Sequence, residues 1–340
     1  MTPDPNGGTK RPALRALGLA LRAAVAVGAL VLAFRLALPE GEESIVATLL
    51  AAWKVPFAEA LAWFVLAWAI LGVSLFVGAV RFRGLLRGAG LDMDLGTLFR
   101  AYLVASFFNL VLPGAMLGDV YRFFDARRDT GEGSRVLGLV VLERVLGLAA
   151  LGAIALAVAP FVPSVQADLE VIVLLVVAGT GFVGVAVAVL LPSVNRILRG
   201  LASRVSRRAD RALAAVGDVA SKPAVVARAF GWSLVNQGLP VLALAVLAVP
   251  LDAMVGWQWF AVIVPFVTLV SLLPISIGGT GVREVLYVSL FGAVGMPAEA
   301  ALTLSLSVLA AALVWGLVGL GLFAAGRRDE PGIATTPAES

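Results

Sequence analysis

One segment decides the fold of this chain: residues 273–284 read LPISIGGTGVRE and interrupt an otherwise apolar region. The apolar run 257–273 precedes this segment, and the apolar run 285–291 follows it. A proline followed by several glycines ends a helix, so the segment predicts a helix, a break and a second helix. Residues 112–122, LPGAMLGDVYR, predict the same arrangement after the apolar run 98–112. In both segments a glycine lies five positions after the proline and an arginine nine positions after it, which indicates an internal repeat.

The composition places these segments in a membrane protein. Of 340 residues, 60% are hydrophobic and 14% are charged, and the mean hydropathy is +0.99, whereas about a quarter of the residues of a soluble domain carry charge. The expected fold is an all-α polytopic membrane protein with one membrane domain, at 13–325, between disordered tails at 1–12 and 326–340. Long apolar runs predict about six full membrane crossings, at residues 23–34, 58–80, 136–159, 171–191, 225–249 and 300–325.

Residue types that are absent exclude several kinds of chemistry. The chain has no cysteine and no histidine, which removes thiolate nucleophiles, imidazole bases and the commonest zinc ligands. None of the three lysines, Lys10, Lys54 and Lys222, follows a phosphate-binding glycine loop. The positive-inside rule accounts for the basic pI near 9.9, so nucleic acid is not an expected partner. We therefore expect no enzymatic activity and no cofactor.

Charges beside the two broken segments predict that neither segment crosses the membrane. Arginines flank the first segment on both sides, at 81–87 and at 127–135, which places both of its ends in the cytoplasm. The loops around the second segment hold no Lys or Arg, but they contain Asp252 and Glu299, which places both of its ends outside. Both segments are then re-entrant hairpins. They belong to inverted-topology repeats, at about 58–159 and about 225–325, an arrangement by which many transporters build a site near the midplane.

The helix after each break offers a site for an anion. Its first N–H groups and its dipole favour negative charge, and an arginine, Arg122 or Arg283, lies about one turn into it. Glycines at positions 278, 279 and 281 allow backbone amides to close around a phosphate. The alternative is that both arginines extend to the membrane interface without binding a ligand.

Two adjacent charges lie about eight residues inside a predicted crossing. Glu143 and Arg144 each cost roughly 2.5 to 3.5 kcal/mol when they face lipid, so both need partners. Neighbours on a helix point about 100° apart and pair poorly with each other, so we expect different partners for the two, drawn from Asp119, Arg122, Arg283 and Glu284. A purely structural ion-pair network is as consistent with these charges as a functional one. Asn109, Asn236 and Gln237 are expected to add hydrogen bonds between helices.

Residues 195–221 predict a basic amphipathic helix on the cytoplasmic surface. Apolar positions recur at helical spacing opposite six arginines. Such a helix is expected to lie on anionic headgroups, and a solvated linker between the two repeats is the alternative.

These motifs together resemble the lysylphosphatidylglycerol synthase transmembrane family, a flippase-like membrane domain. The resemblance covers about residues 15–325. It rests on Arg81-Phe82-Arg83-Gly84-Leu85-Leu86, Tyr102 to Asn109, Leu112-Pro113-Gly114, Gly118-Asp119, Arg122, Glu143-Arg144, Pro274, Gly278-Gly279, Gly281 and Arg283-Glu284. It implies a membrane domain that moves an aminoacylated phospholipid, without the soluble domain that synthesises that lipid. Ala115-Met116-Leu117 stands where members of the family often have further glycines.

The sequence therefore predicts a lipid translocase that moves a phosphate-bearing phospholipid or a lipid-linked headgroup. Its expected location is the cytoplasmic membrane of a prokaryote, with both termini in the cytoplasm. Expected partners are anionic membrane lipids and a separately encoded lipid-modifying enzyme or glycosyltransferase. The residues assigned to substrate binding are Asn109, Pro113, Gly118, Asp119, Arg122, Glu143, Arg144, Gly278, Gly279, Gly281, Arg283 and Glu284.

Two other functions remain open. One is a membrane-embedded transferase, or an accessory subunit of lipid or lipid-linked glycan synthesis, which needs a cluster of carboxylates or a metal site at an interface. The other is an ion-coupled carrier of small anions, which needs a closed aqueous cavity.

Overall fold

The computed structural model of the chain describes residues 10–37, 49–111, 117–162, 169–271 and 280–326. These residues form α-helices, one short 3-10 helix and connecting turns, and no β-strand occurs among them. In a bilayer core a helix satisfies all of its backbone hydrogen bonds internally, which is why apolar sequences of this length fold in this way. The all-α polytopic membrane fold predicted from the composition is confirmed.

The first helices of the chain include the first predicted repeat. Helix α1 precedes the repeat, and the repeat itself consists of two long helices with two shorter ones between them. The bounds are α1 Lys10–Ala37, α2 Phe57–Gly88, α3 Leu95–Val111, α4 Leu117–Thr130 and α5 Gly133–Val158, and the 3-10 turn Ala159–Phe161 extends α5.

Three helices connect the repeats: α6 Leu169–Leu190, α7 Pro192–Val205 and α8 Arg207–Ala220. The prediction of one amphipathic helix over 195–221 is wrong. Ser206 has an extended backbone (φ −162°, ψ 131°), and its side chain accepts a hydrogen bond from the N–H of Arg208. This N-cap ends one helix and starts the next.

The second repeat has the same order of parts as the first. It consists of α9 Pro223–Ala248, α10 Trp257–Ser271, α11 Val282–Ala293 and α12 Ala298–Gly326. Each repeat thus has a long helix, two shorter helices and a second long helix. The predicted breaks between the shorter helices fall on residues 112–116 and 272–279, which lie outside the described residues. The sides of the membrane on which the hairpins open stay predictions.

Four helices among the described residues are long and apolar enough to cross a membrane: α2, α5, α9 and α12. They match four of the six predicted crossings. The other two crossings fall on α1 and α6, which are helical, and the described apolar part of α1 is 24–37. The described end of α6 and helix α7 are bent by 71° and give a fifth crossing when counted as one broken span.

The described residues form two hydrophobic cores, one drawn mainly from each repeat. The first core gathers Phe82, Leu98 and Leu142, and helix α8 covers it with Val216. The second core centres on Leu244, Phe260, Phe291 and Leu302. The two units meet along α2 and α9, where Asn236 Nδ2 donates to the carbonyl oxygen of Ser74 at 2.7 Å. Polar side chains near this contact therefore lie between the repeats.

Candidate functional site

A buried carboxylate from α5 collects three donors from the first repeat. Glu143 is 1% exposed. Its Oε1 accepts a hydrogen bond from Arg81 Nη2 at 2.6 Å and another from the Tyr102 hydroxyl at 2.5 Å. Its Oε2 accepts from Arg122 Nη1 at 3.0 Å. Helices α2, α3 and α4 thus each supply one donor to a single side chain of α5.

A second carboxylate, Asp119 of α4, extends this arrangement. Its Oδ1 accepts from Arg122 Nη2, so Arg122 joins the two carboxylates, and its Oδ2 accepts from Arg144 Nε at 2.5 Å. The prediction that Glu143 and Arg144 engage different partners is confirmed, and the partners Arg122 and Asp119 were among those expected. We call Arg81, Tyr102, Asp119, Arg122, Glu143 and Arg144 the charged network.

Aromatic rings and one hydroxyl complete the surroundings of the buried arginines. The Arg122 guanidinium carbon lies 4.1 Å from the centre of the Tyr102 ring and 5.8 Å from that of Phe82. Arg81 Nη1 donates to the hydroxyl of Ser233 at 3.1 Å, which connects the network to α9 of the second repeat. Planar guanidinium groups stack on ring faces and still donate in their own plane, which suits arginine to this position better than lysine.

The charged network carries an excess of positive charge. Three arginines face two carboxylates, which leaves a net charge of +1. Isolated buried charge is expensive, and the cost falls when an opposite charge is added. Arg144 has 35% of its side chain exposed, whereas the side chains of Arg81 and Arg122 are at most 9% exposed. The arginine that is open to an incoming anion is therefore Arg144.

The charged network lines a cavity of about 320 Å³, which we call the central cavity. Both repeats contribute to it. Its other polar lining residues are Ser74, Ser106, Asn109, Asn236, Gln237 and Thr268. Asn236 and Gln237 make the expected hydrogen bonds between helices, the latter with Nε2 at 3.4 Å from the carbonyl oxygen of Gly147. The walls thus offer donors and acceptors around the charged network.

Asn109 and Gly118 hold α4 in place beside the network. Asn109 Oδ1 accepts a hydrogen bond from the N–H of Gly118 at 2.9 Å. A Cβ atom at Gly118 would overlap the carbonyl oxygen of Ala105, so only glycine permits this approach of α4 to α3. This contact fixes the start of the helix that carries Asp119 and Arg122. Both residues therefore belong to the site by positioning its charges.

A second cluster forms at the start of α11. Glu284 is fully buried, and its Oε1 accepts from Arg283 Nη2 at 2.8 Å and from the Ser305 hydroxyl at 3.2 Å. Its Oε2 accepts from the N–H of Gly281 at 2.5 Å, as in a capping box. Arg283 thus has a carboxylate partner next to it in the sequence.

Gly281 differs from what the sequence predicts for it. Its amide was expected to face a phosphate, but the amide donates to Glu284. The space over its Cα is occupied by α1, since a Cβ there would overlap the carbonyl oxygen of Ala26. Its φ of +85° is in the left-handed region, which favours glycine. Close packing against α1 and a turn with positive φ account for this glycine.

The predicted site residues therefore fall into two groups. Asp119, Arg122, Glu143 and Arg144 meet in the charged network, with Asn109 and Gly118 beside them. Gly281, Arg283 and Glu284 meet in the second cluster, and among the described residues no hydrogen bond or ion pair joins the two groups. Of the partners expected for Glu143 and Arg144, Asp119 and Arg122 are found, and Arg283 and Glu284 pair with each other instead. Pro113, Gly278 and Gly279 lie outside the described residues.

Three residues of the site were not assigned to it from the sequence: Arg81, Tyr102 and Ser233. Arg81 was read as one of the arginines that mark the cytoplasmic side. It follows the apolar run 58–80 without a break, which indicates that it lies on the same helix, and the structure shows that its side chain is buried there. Within the described part of the chain, no group of three acidic, histidine or cysteine side chains is placed to hold a metal ion.

Fold and site together define a polytopic helical membrane protein with a buried arginine and carboxylate network between two repeats. The family model described as the lysylphosphatidylglycerol synthase TM region matches residues 15–321. The chain belongs to this family, whose membrane region is linked to lipid or flippase-like function. The match spans every residue assigned to the site, and the resemblance inferred from the motifs is confirmed. No curated protein gives a significant match to the sequence.

Proposed function

We propose that the protein is a lipid translocase, which moves the phosphate-bearing headgroup of a phospholipid or lipid-linked molecule across its membrane. One observation carries the proposal: the charged network lines the central cavity with a net charge of +1. A phosphodiester carries one negative charge and neutralises this excess. The lipid linkage of the family supports a lipid as the source of that phosphate.

The geometry of the charged network suggests which of its contacts stay in place during transport and which are replaced by contacts to the phosphate. Glu143 is buried and bound by Arg81, Tyr102 and Arg122 at 2.5 to 3.0 Å, so it serves as the fixed anchor of the network. Asp119 instead bridges Arg122 to the partly exposed Arg144. An incoming phosphate takes the place of the Asp119 carboxylate on Arg144 and on one side of Arg122. When the phosphate leaves, Asp119 returns.

This exchange needs no covalent chemistry, and we therefore propose that the protein is not an enzyme. A transferase would need a carboxylate free to act as a base or to bind a metal. Asp119 and Glu143 each accept hydrogen bonds from two arginines, which occupies their oxygens. An ion-coupled carrier of small anions shares the same binding chemistry, and transport of a soluble anion is one outcome of the test below.

We further propose the cytoplasmic membrane of a prokaryote as the location, with both termini in the cytoplasm. Anionic lipids are the proposed partners. A separately encoded enzyme that makes or consumes the transported lipid would complete the pathway. Arginines at 81–87 and 127–135 support this orientation by the positive-inside rule.

Reconstitution into liposomes tests the transport function. A fluorescent anionic phospholipid and an impermeant quencher report how much lipid moves between leaflets. Arg144→Gln removes the charge that faces the incoming phosphate, and loss of a charge-assisted hydrogen bond should reduce transport about tenfold to a hundredfold. Arg144→Lys should restore only part of the transport activity, because lysine cannot form a bidentate hydrogen bond to phosphate. Arg204→Gln, an exposed arginine of α7, is the matched control and should transport like the parent.

Two results would overturn the proposal. One is a parent protein that moves no lipid of any headgroup class under these conditions. The other is an Arg144→Gln variant that folds and transports lipid like the parent. Uptake of a soluble phosphate or carboxylate ion, without movement of lipid, would replace the proposal with an anion carrier.

A further inference from the structure

A second cavity, of about 360 Å³, lies between the Arg81 end of α2 and the beginning of α9. We call it the basic cavity. Five cations and one tryptophan mark its lining: Arg81, Arg83, Arg87, Lys222, Arg228 and Trp232. None of the described lining residues is acidic. None of these six residues was assigned to substrate binding from the sequence.

The charges of the basic cavity are largely uncompensated. Asp92 is the acidic neighbour: its Oδ1 accepts from Arg87 Nε at 2.9 Å and lies 3.9 Å from Arg83 Nε. The hydrogen bond from Arg87 lowers the pKa of Asp92, so this carboxylate is ionised at neutral pH. Arg83, Arg87, Lys222 and Arg228 carry four positive charges, and Asp92 carries one negative charge, which leaves +3 without Arg81. Arg228 has no ion pair or hydrogen bond among the described residues.

A second, independent feature points to a ligand. Arg81 lines both the basic cavity and the central cavity. Its side chain is 9% exposed, and its Nε is buried with no hydrogen-bond partner in the described part of the chain. An unsatisfied buried donor is costly, and such groups are usually paired. Nε of Arg81 is therefore available to a ligand, while Nη1 and Nη2 bind Ser233 and Glu143.

We propose that the basic cavity binds a multivalent phosphate anion, either a phosphomonoester or a pyrophosphate. A charge of +3 exceeds what a phosphodiester neutralises, whereas a group with two or more negative charges matches it better. Arginines supply paired donors to phosphate oxygens, and Lys222 adds a point charge. Trp232 presents an apolar face and one N–H donor, which suits the boundary between a headgroup and its acyl chains.

The phosphate has two possible sources, a lipid headgroup or a free phosphate in solution. The lipid source rests on the proposed function, but the chemistry of the cavity does not. Occupancy of this cavity is an equilibrium property and requires no transport. Failure of lipid transport in liposomes would therefore leave the binding proposal standing, and failure of binding would leave transport standing.

Calorimetric titration of the full chain in an uncharged detergent tests the proposal. The probes are dioctanoyl phosphatidic acid, a phosphomonoester; dioctanoyl phosphatidylglycerol, a phosphodiester; and inorganic pyrophosphate. Parent protein should bind phosphatidic acid at least about tenfold more tightly than phosphatidylglycerol. Arg228→Gln should weaken binding about tenfold to a hundredfold, since it removes a charge-assisted contact. Arg207→Gln removes the same charge from an exposed position outside the cavity and should bind like the parent.

Trp232 supplies a second measurement. Binding should change the intrinsic fluorescence of the parent, and Trp232→Phe should remove that change while the other six of the seven tryptophans remain. Binding of phosphatidic acid without pyrophosphate identifies a lipid site, and equal binding of both identifies a site for free phosphate. The proposal is overturned if Arg228→Gln binds as tightly as Arg207→Gln for both probes, or if phosphatidylglycerol binds as well as phosphatidic acid.

Discussion

Glu143 is the residue on which the charged network depends, because it is the common partner of two buried arginines. Glu143→Gln would leave Arg81 and Arg122 facing a neutral amide. Removing one partner from a buried ion pair costs about 3 to 5 kcal/mol. We therefore expect a lower free energy of unfolding, measured by denaturant titration in detergent micelles. Glu59→Gln, the same change at an exposed position of α2, is the control and should unfold like the parent. Equal stabilities of the two variants would contradict the role of Glu143 as anchor.

The charges of this network could be predicted only in part from the sequence. Glu143 and Arg144 are conspicuous because they interrupt an apolar run, and the need to avoid lipid predicts partners for them. Arg81 was missed because it lies at the end of such a run, where the positive-inside rule already explains an arginine. Tyr102 and Ser233 carry no comparable signal, because polar side chains are common in membrane helices. Their roles depend on which helices meet, and patterns of hydropathy and charge do not show that.

Close contacts between helices depend on single glycines. At Gly319 of α12, a Cβ atom would overlap the backbone carbonyl oxygen of Leu103 in α3, whereas nothing lies within 4 Å of a Cβ at Gly321. Gly319→Ala should therefore lower the free energy of unfolding by about 1 to 3 kcal/mol, because a backbone atom cannot move aside cheaply. Gly321→Ala, two residues further on the same helix, should change it little. Thermal unfolding in detergent measures both, and indistinguishable melting temperatures would show that α3 and α12 pack less closely.

The long helices could be predicted from apolar runs in the sequence, whereas the break between α7 and α8 at Ser206 could not. The helices α2, α5, α9 and α12 exceed the length that a membrane requires, so hydropathy alone identifies them. The run 195–221 keeps its helical spacing through the break, because one extended residue between two amphipathic helices barely disturbs the pattern. The chain reverses at Ser206, so Val216 of α8 is buried in the first core, while Val205 of α7 stays exposed.

The predicted inverted repeats place the ends of the two hairpins on opposite sides of the membrane. The chain has no cysteine, so a single introduced cysteine can be labelled without background. Cysteines at Arg87 and Ser134 flank the first hairpin and should react with an impermeant reagent only from the cytoplasm. Cysteines at Asp252 and Pro297 flank the second hairpin and should react only from outside. Labelling of the two ends of either hairpin from opposite sides would contradict the inverted topology.

Arg81 faces both cavities, and this has a thermodynamic consequence. Its guanidinium is a single group, so the donors and the charge that it commits to an anion in one cavity alter what it offers to the other. Any factor by which occupancy of the basic cavity changes the affinity of the central cavity must then apply equally in the reverse direction. The two cavities are therefore expected to behave as energetically linked binding steps, and Arg81 is the residue through which that linkage passes.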